Sequence, residues 1–386
     1  MAGIKIELKG ETLTYAGEQF HTSPEEAKET LEKYGIAIIP NRLTQEECKQ
    51  MNDGMWKTAE YLTSKMDKPL NRSDPSTYDS VAKLEAGKDR GLIQNWGWGH
   101  AQYTWDVRSN PKISEVFEEV FQTNDLLVSF DGVNCNLGMI QPLETYTIAG
   151  HVVNNSYIGK HNLHCDQRFN MNSFECVQTW LNANPTDVGD GTLRILQGSH
   201  LLHGEFRKAF EGKITNPDED WHVLTEEQIQ WYKDHGCQDM CIVCPAGSQV
   251  CWDSRTIHCG MAPLRTKDMP SEFQKTDRNF RNVMYICMVP SSYAGPENLR
   301  VRKEIFQPGE LRLRSAIHWP QYMKLFPSQS FLINLPELKS ELEKIPEIPM
   351  PVLNSKGKQL AGLNKVVSEG LVNAEPFSLE PNDPKH

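Results

Sequence analysis

The sequence predicts a mainly β protein with helical additions, built as a double-sheet jelly roll or a barrel. Several short apolar runs follow one another after residue 125, and most are bounded by Gly, Pro, Asn or Asp. Short strands separated by turns are typical of these two architectures. Apolar residues make up 38% of the 386 residues, which is enough for a substantial buried core.

Helix signals come first along the chain. Residues 23–26 (Ser-Pro-Glu-Glu) offer an N-cap hydroxyl, a first-turn proline and acidic groups, and they predict a helix that ends near Gly35. The apolar residues 36–39 then predict a short buried strand. Residues 44–47 (Thr-Gln-Glu-Glu) form a capping box and predict an amphipathic helix that runs to about Lys65.

Strands dominate the middle of the chain. A short helix around 113–121 precedes them, and the predicted strands are 126–130, 176–181, 192–196, 249–252 and 282–289. Residues 200–236 differ, because the capping box at Thr225 and the helix stop at Gly236 predict a helical insertion between strands. Residues 336–342 also favour a helix, and the tail 374–386 is expected to be loose.

No linker is strong enough to split the chain, so we expect one domain over residues 1–386. Its parts would be a helical N-terminal wrap (1–125), a strand core (126–290) and a C-terminal extension (291–386). Residues 94–108 carry three tryptophans. Packing against the body is the favoured role of this segment, and a lid over a site is the alternative.

Charge and composition exclude several classes of protein. Lys and Arg number 40 against 51 Asp and Glu, a formal charge of −11, which argues against general affinity for nucleic acid. No apolar run approaches the ~18 residues of a membrane span, and the N-terminus lacks a secretory signal. These features predict a cytoplasmic protein.

Among the ten cysteines, one cluster has the spacing of a possible metal site. Cys241 and Cys244 have zinc-knuckle spacing, with Cys237 before them and Cys251 after. A structural zinc site would need a second close pair, so ordinary strand cysteines are the favoured interpretation.

The segment His164-Cys165-Asp166 carries the first chemical signal. In an extended strand His164 and Asp166 point to one face, where an imidazole and a carboxylate can bind the same divalent metal. Cys165 points to the other face, and His161, at an odd offset from His164, is set aside as a ligand.

Two further residues support the prediction of a metal site at this short motif. His258 lies at the end of a predicted strand segment, and Arg281 opens another apolar strand. Two histidines and one carboxylate on one side of a metal leave three open positions, the arrangement of non-haem Fe(II) oxygenases.

With these motifs the sequence resembles the phytanoyl-CoA dioxygenase-like (PhyH) branch of the Fe(II)/2-oxoglutarate-dependent oxygenases. The matching elements run from Tyr34 to about Pro290 and include residues 190–200 (Gly-Thr-Leu to Gly-Ser-His) and Ala246-Gly247. The resemblance implies a double-stranded β-helix, a cupin-like jelly roll.

The resemblance also implies roles for single residues. His164, Asp166 and His258 would be the iron ligands, and Arg281 would pair with the distal carboxylate of 2-oxoglutarate through its planar fork. Arg265 and Arg278 are rivals by proximity, but neither opens an apolar strand.

Two more positions follow from the same resemblance. Trp180 matches a position that lines the co-substrate pocket in relatives, although simple core packing is an equal alternative. Gly260 stands where some relatives place a serine that touches 2-oxoglutarate, which puts that one contact in doubt.

The implied activity is oxidation of an unactivated C–H bond of a small molecule, with Fe(II) as cofactor, 2-oxoglutarate and O2 as co-substrates, and succinate and CO2 as products. Hydroxylation is the default outcome, with desaturation or oxidative cyclisation as alternatives, and Asp166 argues against halogenation. Residues 312–320 are expected to approach the pocket mouth, and their arginines suggest a carboxylated or phosphorylated small molecule, with surface salt bridging as the default explanation. By analogy with the family, the resemblance also suggests specialised metabolism and an amino-acid-derived substrate. The alternatives are a zinc-dependent hydrolase or lyase on the same scaffold and a non-catalytic small-molecule-binding jelly roll.

The remaining chemistry-bearing residues are expected to be structural. Cys165 and Cys259 should pack away from the metal. Surface or satisfied core positions are expected for the other histidines, namely His100, His151, His200, His203 and His318.

Overall fold

A computed structural model describes residues 3–8, 11–84, 91–137, 145–148, 151–154, 162–264, 269–274, 280–307, 314–316, 318–323, 325–327 and 339–365. Several predictions lie outside these residues: those for His161, Arg265, Arg278, the start of the helix at 336, the tail 374–386 and the side chain of His151. Across the described part of the chain, no helix combines the length and the apolar character that a membrane crossing requires.

Ten α-helices lie within the described residues. They are α1 (Ala27–Tyr34), α2 (Gln45–Thr63), α3 (Asp79–Leu84), α4 (Gln102–Arg108), α5 (Pro111–Phe121), α6 (His203–Ala209), α7 (Glu226–Asp234), α8 (Pro296–Ile305), α9 (Lys339–Leu342) and α10 (Ser355–Leu360). Both predicted capping boxes are formed, by Thr44 at the start of α2 and by Thr225 at the start of α7. Gly35 ends α1 with a φ of 76°, a conformation that glycine adopts without strain.

The strands are short, except for β16 in the core, which is ten residues long. They are β1 (Ile4–Leu8), β2 (Glu11–Ala16), β3 (Ile36–Ile39), β4 (Leu92–Ile93), β5 (Leu126–Val128), β6 (Val133–Asn136), β7 (Thr145–Ile148), β8 (His151–Asn154), β9 (His164–Cys165), β10 (Val177–Asn182), β11 (Thr192–Gln197), β12 (His222–Val223), β13 (Gln238–Ile242), β14 (Gln249–Asp253), β15 (His258–Met261), β16 (Arg281–Pro290), β17 (Arg314–Ala316) and β18 (Leu325–Pro327).

Two seven-stranded sheets form the body of the described structure. The first sheet has the order β1-β2-β13-β11-β15-β9-β12, and the second has the order β3-β14-β10-β16-β6-β4, with β5 also paired to β16. Neighbouring strands are antiparallel apart from the β2–β13 pair. The structure therefore confirms a core of two largely antiparallel sheets to which helices are added.

The inner faces of the two sheets share one apolar cluster. Leu193 and Ile195 come from the first sheet, and Trp180, Trp252 and Val283 come from the second. Helices α2 and α5 cover the outer face of the second sheet, and α6 and α7, within the predicted insertion, pack on the outer face of the first. Each sheet is therefore buried on both faces over its central strands.

The N-terminal region is less helical than the sequence indicated. Strands β1 and β2 form a hairpin that joins the first sheet through β13, and β3 joins the second sheet beside β14. The alternation of apolar and polar residues in 4–8 and 11–16 explains the hairpin.

The tryptophan-rich segment packs against the body. Trp96, Trp98 and Trp105 are all buried within the cluster that covers the second sheet. This is the role that the sequence favoured over a lid.

Arg302 connects the C-terminal part of the chain to the second sheet. It is fully buried in α8, and its guanidinium donates hydrogen bonds to the backbone oxygens of Val128, Pro320, Leu360 and Ala361. One side chain thus links β5, α10 and the segment 318–323.

Candidate metal centre

Two neighbouring strands of the first sheet bring the predicted metal ligands together. His164 of β9 and His258 of β15 lie directly opposite each other in the antiparallel pair, and their ring centroids are 4.6 Å apart. Asp166 follows β9 by one residue, so its carboxylate reaches the same face.

The three side chains face one another through atoms that bind metals. The Nε2 atom of His164 lies 3.5 Å from Oδ1 of Asp166, and Nε2 of His258 lies 3.3 Å from Oδ2. One ligand atom from each residue fits within 4.8 Å of the others. Among the described residues, this is the only group of three or more His, Cys, Asp or Glu with that property.

Backbone carbonyls orient both imidazoles. Nδ1 of His164 donates to the oxygen of Asn162 at 2.6 Å, and Nδ1 of His258 donates to the oxygen of Thr256 at 2.9 Å. Because a carbonyl only accepts, each Nδ1 carries the proton and each Nε2 presents its lone pair to the centre. This is the tautomer that a metal ion requires.

The carboxylate of Asp166 is held in place and in its charged form. The side-chain amide of Gln178 donates to Oδ2 at 2.8 Å. Burial alone would raise the pKa of Asp166, but the positive charges that His164, His318 and His258 carry when protonated, together with the hydrogen bond from His258, lower it well below its usual range. Asp166 is therefore an anionic ligand at neutral pH.

Cys165 and Cys259 alternate with the ligands and point the other way. Both are buried in the apolar cluster beneath the helical insertion. Their predicted role in packing is confirmed.

The cysteine cluster at 237–244 forms no metal site within the described structure. All ten cysteines of the chain are buried and free. Cys241 packs against Met261, with their sulfur atoms 3.7 Å apart, and Cys244 belongs to the core between the sheets. Cys241 and Cys251 are strand cysteines, as predicted, whereas Cys237 and Cys244 flank β13.

Arg281 and Trp180 lie on the second sheet, across the core from the histidines. They occupy the adjacent strands β16 and β10, and the guanidinium carbon of Arg281 lies 4.4 Å from the centroid of the Trp180 ring. Arg281 is only 6% exposed, and its Nε has no hydrogen-bond partner. Burial lowers the pKa of Arg281, and the neighbouring Tyr285 acts in the opposite direction.

Strand β10 connects the two groups of residues. Its side chains alternate, so Gln178 and Trp180 both point between the sheets. Gln178 contacts Asp166, and Trp180 contacts Arg281. The potential metal ligands and the buried arginine are therefore connected through two side chains of one strand.

Three of the histidines assigned to structural roles fit that assignment. His100 is buried among Trp105, Phe130 and Phe306. His200 and His203 are also buried, with Nε2 within 3.0 Å of the oxygen of Glu32 and 3.3 Å of the oxygen of Arg168 respectively.

His318 is the residue near the site that the sequence analysis missed. Its Nε2 is buried without a hydrogen-bond partner. In its protonated form His318 would lower the pKa values of Asp166 and Asp131, on both of which burial acts in the opposite direction. The only available signal was the expectation that residues 312–320 approach the site.

Comparison with known proteins identifies the family. The model of the phytanoyl-CoA dioxygenase (PhyH) family matches residues 31–263, more than half of the chain. The chain belongs to the phytanoyl-CoA dioxygenase family. This family is a branch of the Fe(II)/2-oxoglutarate-dependent oxygenases, so the protein is a dioxygenase with a candidate His-Asp-His triad. The match includes His164, Asp166 and His258 and ends before Arg281.

Two similar proteins extend the comparison. The "Ava biosynthesis cluster protein O" of Aspergillus versicolor is 25% identical over 285 residues, which cover 72% of this family member and 82% of the relative. The structure of GlcNAc Inducible Gene 2 (DUF1479) from Candida albicans superposes with a TM-score of 0.50 at 14% identity, covering 92% of this chain and 78% of that one. The second similarity concerns the fold alone.

Proposed function

We propose that the protein is an Fe(II)/2-oxoglutarate-dependent oxygenase that oxidises an unactivated C–H bond of a small molecule and releases succinate and CO2. Hydroxylation is the default outcome, with desaturation or oxidative cyclisation as alternatives. The observation that carries this proposal is the convergence of His164, Asp166 and His258 opposite a buried arginine that forms no ion pair with a carboxylate among the described residues and whose Nε is unpaired.

The donor set fits ferrous iron. We propose His164, Asp166 and His258 as its ligands, because two neutral imidazoles and one carboxylate on one side of an octahedral ion leave three positions open. Gln178 would keep the carboxylate in its orientation, as partners of metal ligands commonly do.

Arg281 fits the distal carboxylate of 2-oxoglutarate. Its guanidinium is buried and its Nε is unsatisfied, so a bound carboxylate would supply both charge and hydrogen-bond acceptors. Successive inward side chains on a strand are about 7 Å apart, a separation comparable to the length of a five-carbon diacid. Trp180, stacked on Arg281, would form one wall of this pocket.

The bound iron would supply activation of O2, coupled to decarboxylation of 2-oxoglutarate, for attack on the C–H bond. The protein's own contribution is positioning. Arg281 holds the co-substrate at its far end, and the triad fixes the near end. The apolar cluster between the sheets excludes water from the region between them.

The rest of the assignment follows from the same comparison. We propose that the two sheets form a double-stranded β-helix and that the substrate is a small molecule, carboxylated or amino-acid-derived. The name of the Aspergillus relative refers to a biosynthesis cluster, which favours a role in specialised metabolism. Gly260 offers no hydroxyl to the co-substrate, although open space surrounds it.

Release of succinate tests the proposal. Purified protein with Fe(II), 2-oxoglutarate and O2 should release succinate, and a metabolite library should contain compounds that stimulate the release. Asp166→Asn should reduce release to the level of the metal-free protein while keeping the hydrogen bond from Gln178. Activity with Zn(II) that does not consume 2-oxoglutarate would instead establish the hydrolase or lyase alternative.

A further inference from the structure

An exposed tryptophan borders the candidate metal centre. Trp221 immediately precedes β12, and β12 pairs with β9 so that Val223 lies opposite His164. The Trp221 and His164 ring centroids are 6.0 Å apart, yet Trp221 is 40% exposed. A large ring next to a metal ligand and open to solvent is positioned to meet an incoming molecule.

A second exposed ring comes from the C-terminal extension. Tyr322 is 42% exposed, and the guanidinium of Arg168 lies 5.0 Å from the centroid of its ring. The segment 318–323, which carries Tyr322, is anchored to the body by the buried side chain of Trp319 and by the hydrogen bond from Arg302 to the Pro320 oxygen. The backbone next to Tyr322 is therefore held in place, while its ring is accessible to solvent.

The two rings belong to the same entrance. Arg168 follows Asp166 by two residues, and its loop contacts the other loop through Asn170, whose backbone N–H donates to the Pro217 oxygen at 3.1 Å. Burial raises the pKa of Tyr322, and the carboxylates of Glu175 and Asp220 raise it further. Asp220 is the neighbour of Trp221, so the segment that carries Trp221 comes close enough for its charge to act on Tyr322.

Exposed apolar side chains are concentrated at this entrance. Ten large apolar residues are exposed in the described part of the chain. Four of them lie here: Met171, Trp221, Val223 and Tyr322. An exposed apolar patch rimmed by polar groups is typical of a binding site.

The charged residues named at this entrance are one arginine and two acids. Arg168 lies 3.8 Å from Glu175, and the charge of Asp220 raises the pKa of Glu175. A carboxylate approaching here would meet an arginine that is already paired, so the entrance favours an uncharged portion of the substrate.

We propose that Trp221 and Tyr322 bind a planar aromatic ring of the substrate at the entrance to the candidate metal centre. This inference rests on the proposed function and deepens it by naming the class of substrate. Rigid rings lose little conformational entropy on binding, and aromatic pairs add attraction beyond the buried area. The reactive carbon of such a substrate would extend inward from the ring towards the triad.

Ligand-observed NMR with the full-length protein tests this inference. The probes are N-acetyl-L-tryptophanamide, N-acetyl-L-phenylalaninamide, its saturated analogue N-acetyl-L-cyclohexylalaninamide, and the carboxylate N-acetyl-L-phenylalanine. We expect the aromatic amides to bind about fivefold more tightly than the saturated analogue, and the carboxylate to gain nothing.

Variants locate the binding. Trp221→Leu and Tyr322→Leu should each weaken binding of the aromatic amides about fivefold, and Trp221→Phe should restore most of it. Tyr61→Leu is the matched control, because Tyr61 is 41% exposed but lies on α2. Equal binding of the saturated analogue, unchanged binding in Trp221→Leu, or no measurable binding of any aromatic probe would overturn the inference.

The same preparations are assayed for iron-dependent consumption of 2-oxoglutarate without added substrate. Absence of that consumption counts against the proposed function, whereas the NMR result alone decides the aromatic site. The two failures are therefore distinguishable.

Discussion

Two buried arginines, one on each sheet, have opposite surroundings. Arg194 on β11 is 2% exposed and bonds to two acids, with Nε 2.7 Å from Asp239 and Nη2 2.7 Å from Glu11. Arg281 on β16 is 6% exposed and makes no ion pair with any described residue. It lies against the Trp180 ring instead.

The difference separates a structural arginine from one that is available to a ligand. Burying a charge without a counter-ion is costly, so a fold rarely keeps an arginine in that state without a use for it. Arg194 is neutralised by its own chain and links β11, β13 and β2. Arg281 has a side-chain hydrogen bond with Tyr285, while its buried Nε has no partner and can donate to a bound carboxylate.

The largest effect is expected from Arg194→Met. Removing this side chain leaves the partly buried Asp239 with Lys233 as its remaining charged partner among the described residues, at 2.9 Å. We expect the free energy of unfolding to fall by about 3 kcal/mol, measured by chemical denaturation. Arg281→Met is the matched control and should change it by less than about 1 kcal/mol. Equal destabilisation by the two substitutions would remove the distinction between the two arginines.

Arg281→Met should instead impair use of the co-substrate. Loss of a charge-assisted, two-point contact corresponds to about 3 kcal/mol, so the KM for 2-oxoglutarate should rise on the order of 100-fold. Steady-state succinate release measures it, and Arg281→Lys should recover part of the loss because lysine restores the charge but not the fork. A KM equal to that of the wild type would show that another group binds the diacid.

Gln178→Ala should act on the metal instead of the co-substrate. Without its hydrogen bond, Asp166 loses its fixed orientation, and the dissociation constant for Fe(II) should rise about 10- to 100-fold. Anaerobic titration measures it. Thr179→Ala is the control, because Thr179 lies on the other face of β10 and donates to the Ile286 oxygen. Similar metal affinity in both variants would contradict the role given to Gln178.

The smallest effect concerns acid stability. Burial alone would raise the pKa of Asp239, but hydrogen bonds and charge from Arg194 and Lys233 hold it below its ordinary value. Its stabilising contribution is therefore complete above the unfolded-state pKa of about 3.9 and is lost as the pH falls below that value. Stability curves between pH 2 and 6 should decline more steeply in the wild type than in Arg194→Met. Parallel curves would show that Arg194 does not set this pKa.

Local signals predicted the elements near the site well. Capping chemistry located the starts of α2 and α7, and apolar runs bounded by turn residues located β10, β11, β14 and β16 to within one or two residues. Helix α1 begins at Ala27 because residues 24–26 form a preceding turn instead of its first turn. These signals succeed because a cap or a strand pattern is written in adjacent residues.

Long-range contacts were harder to predict. The hairpin of β1 and β2 depends on β13, more than 200 residues away, and nothing local specifies that pairing. The position of His318 likewise depends on anchors contributed by distant parts of the chain, Trp319 against Cys287 and Arg302 against Pro320. The alternation of His164 and Asp166 was visible, whereas the facing position of His258 on β15 came from the family resemblance.

The four backbone carbonyls that accept hydrogen bonds from Arg302 determine how far the C-terminus can be truncated. Two of them, from Leu360 and Ala361, belong to the last helix of the described chain. In a protein truncated before Leu360, the guanidinium of Arg302 beside β5 would lose two hydrogen-bond acceptors and would be left exposed or unpaired. Truncated expression products should therefore retain residues up to at least Ala361.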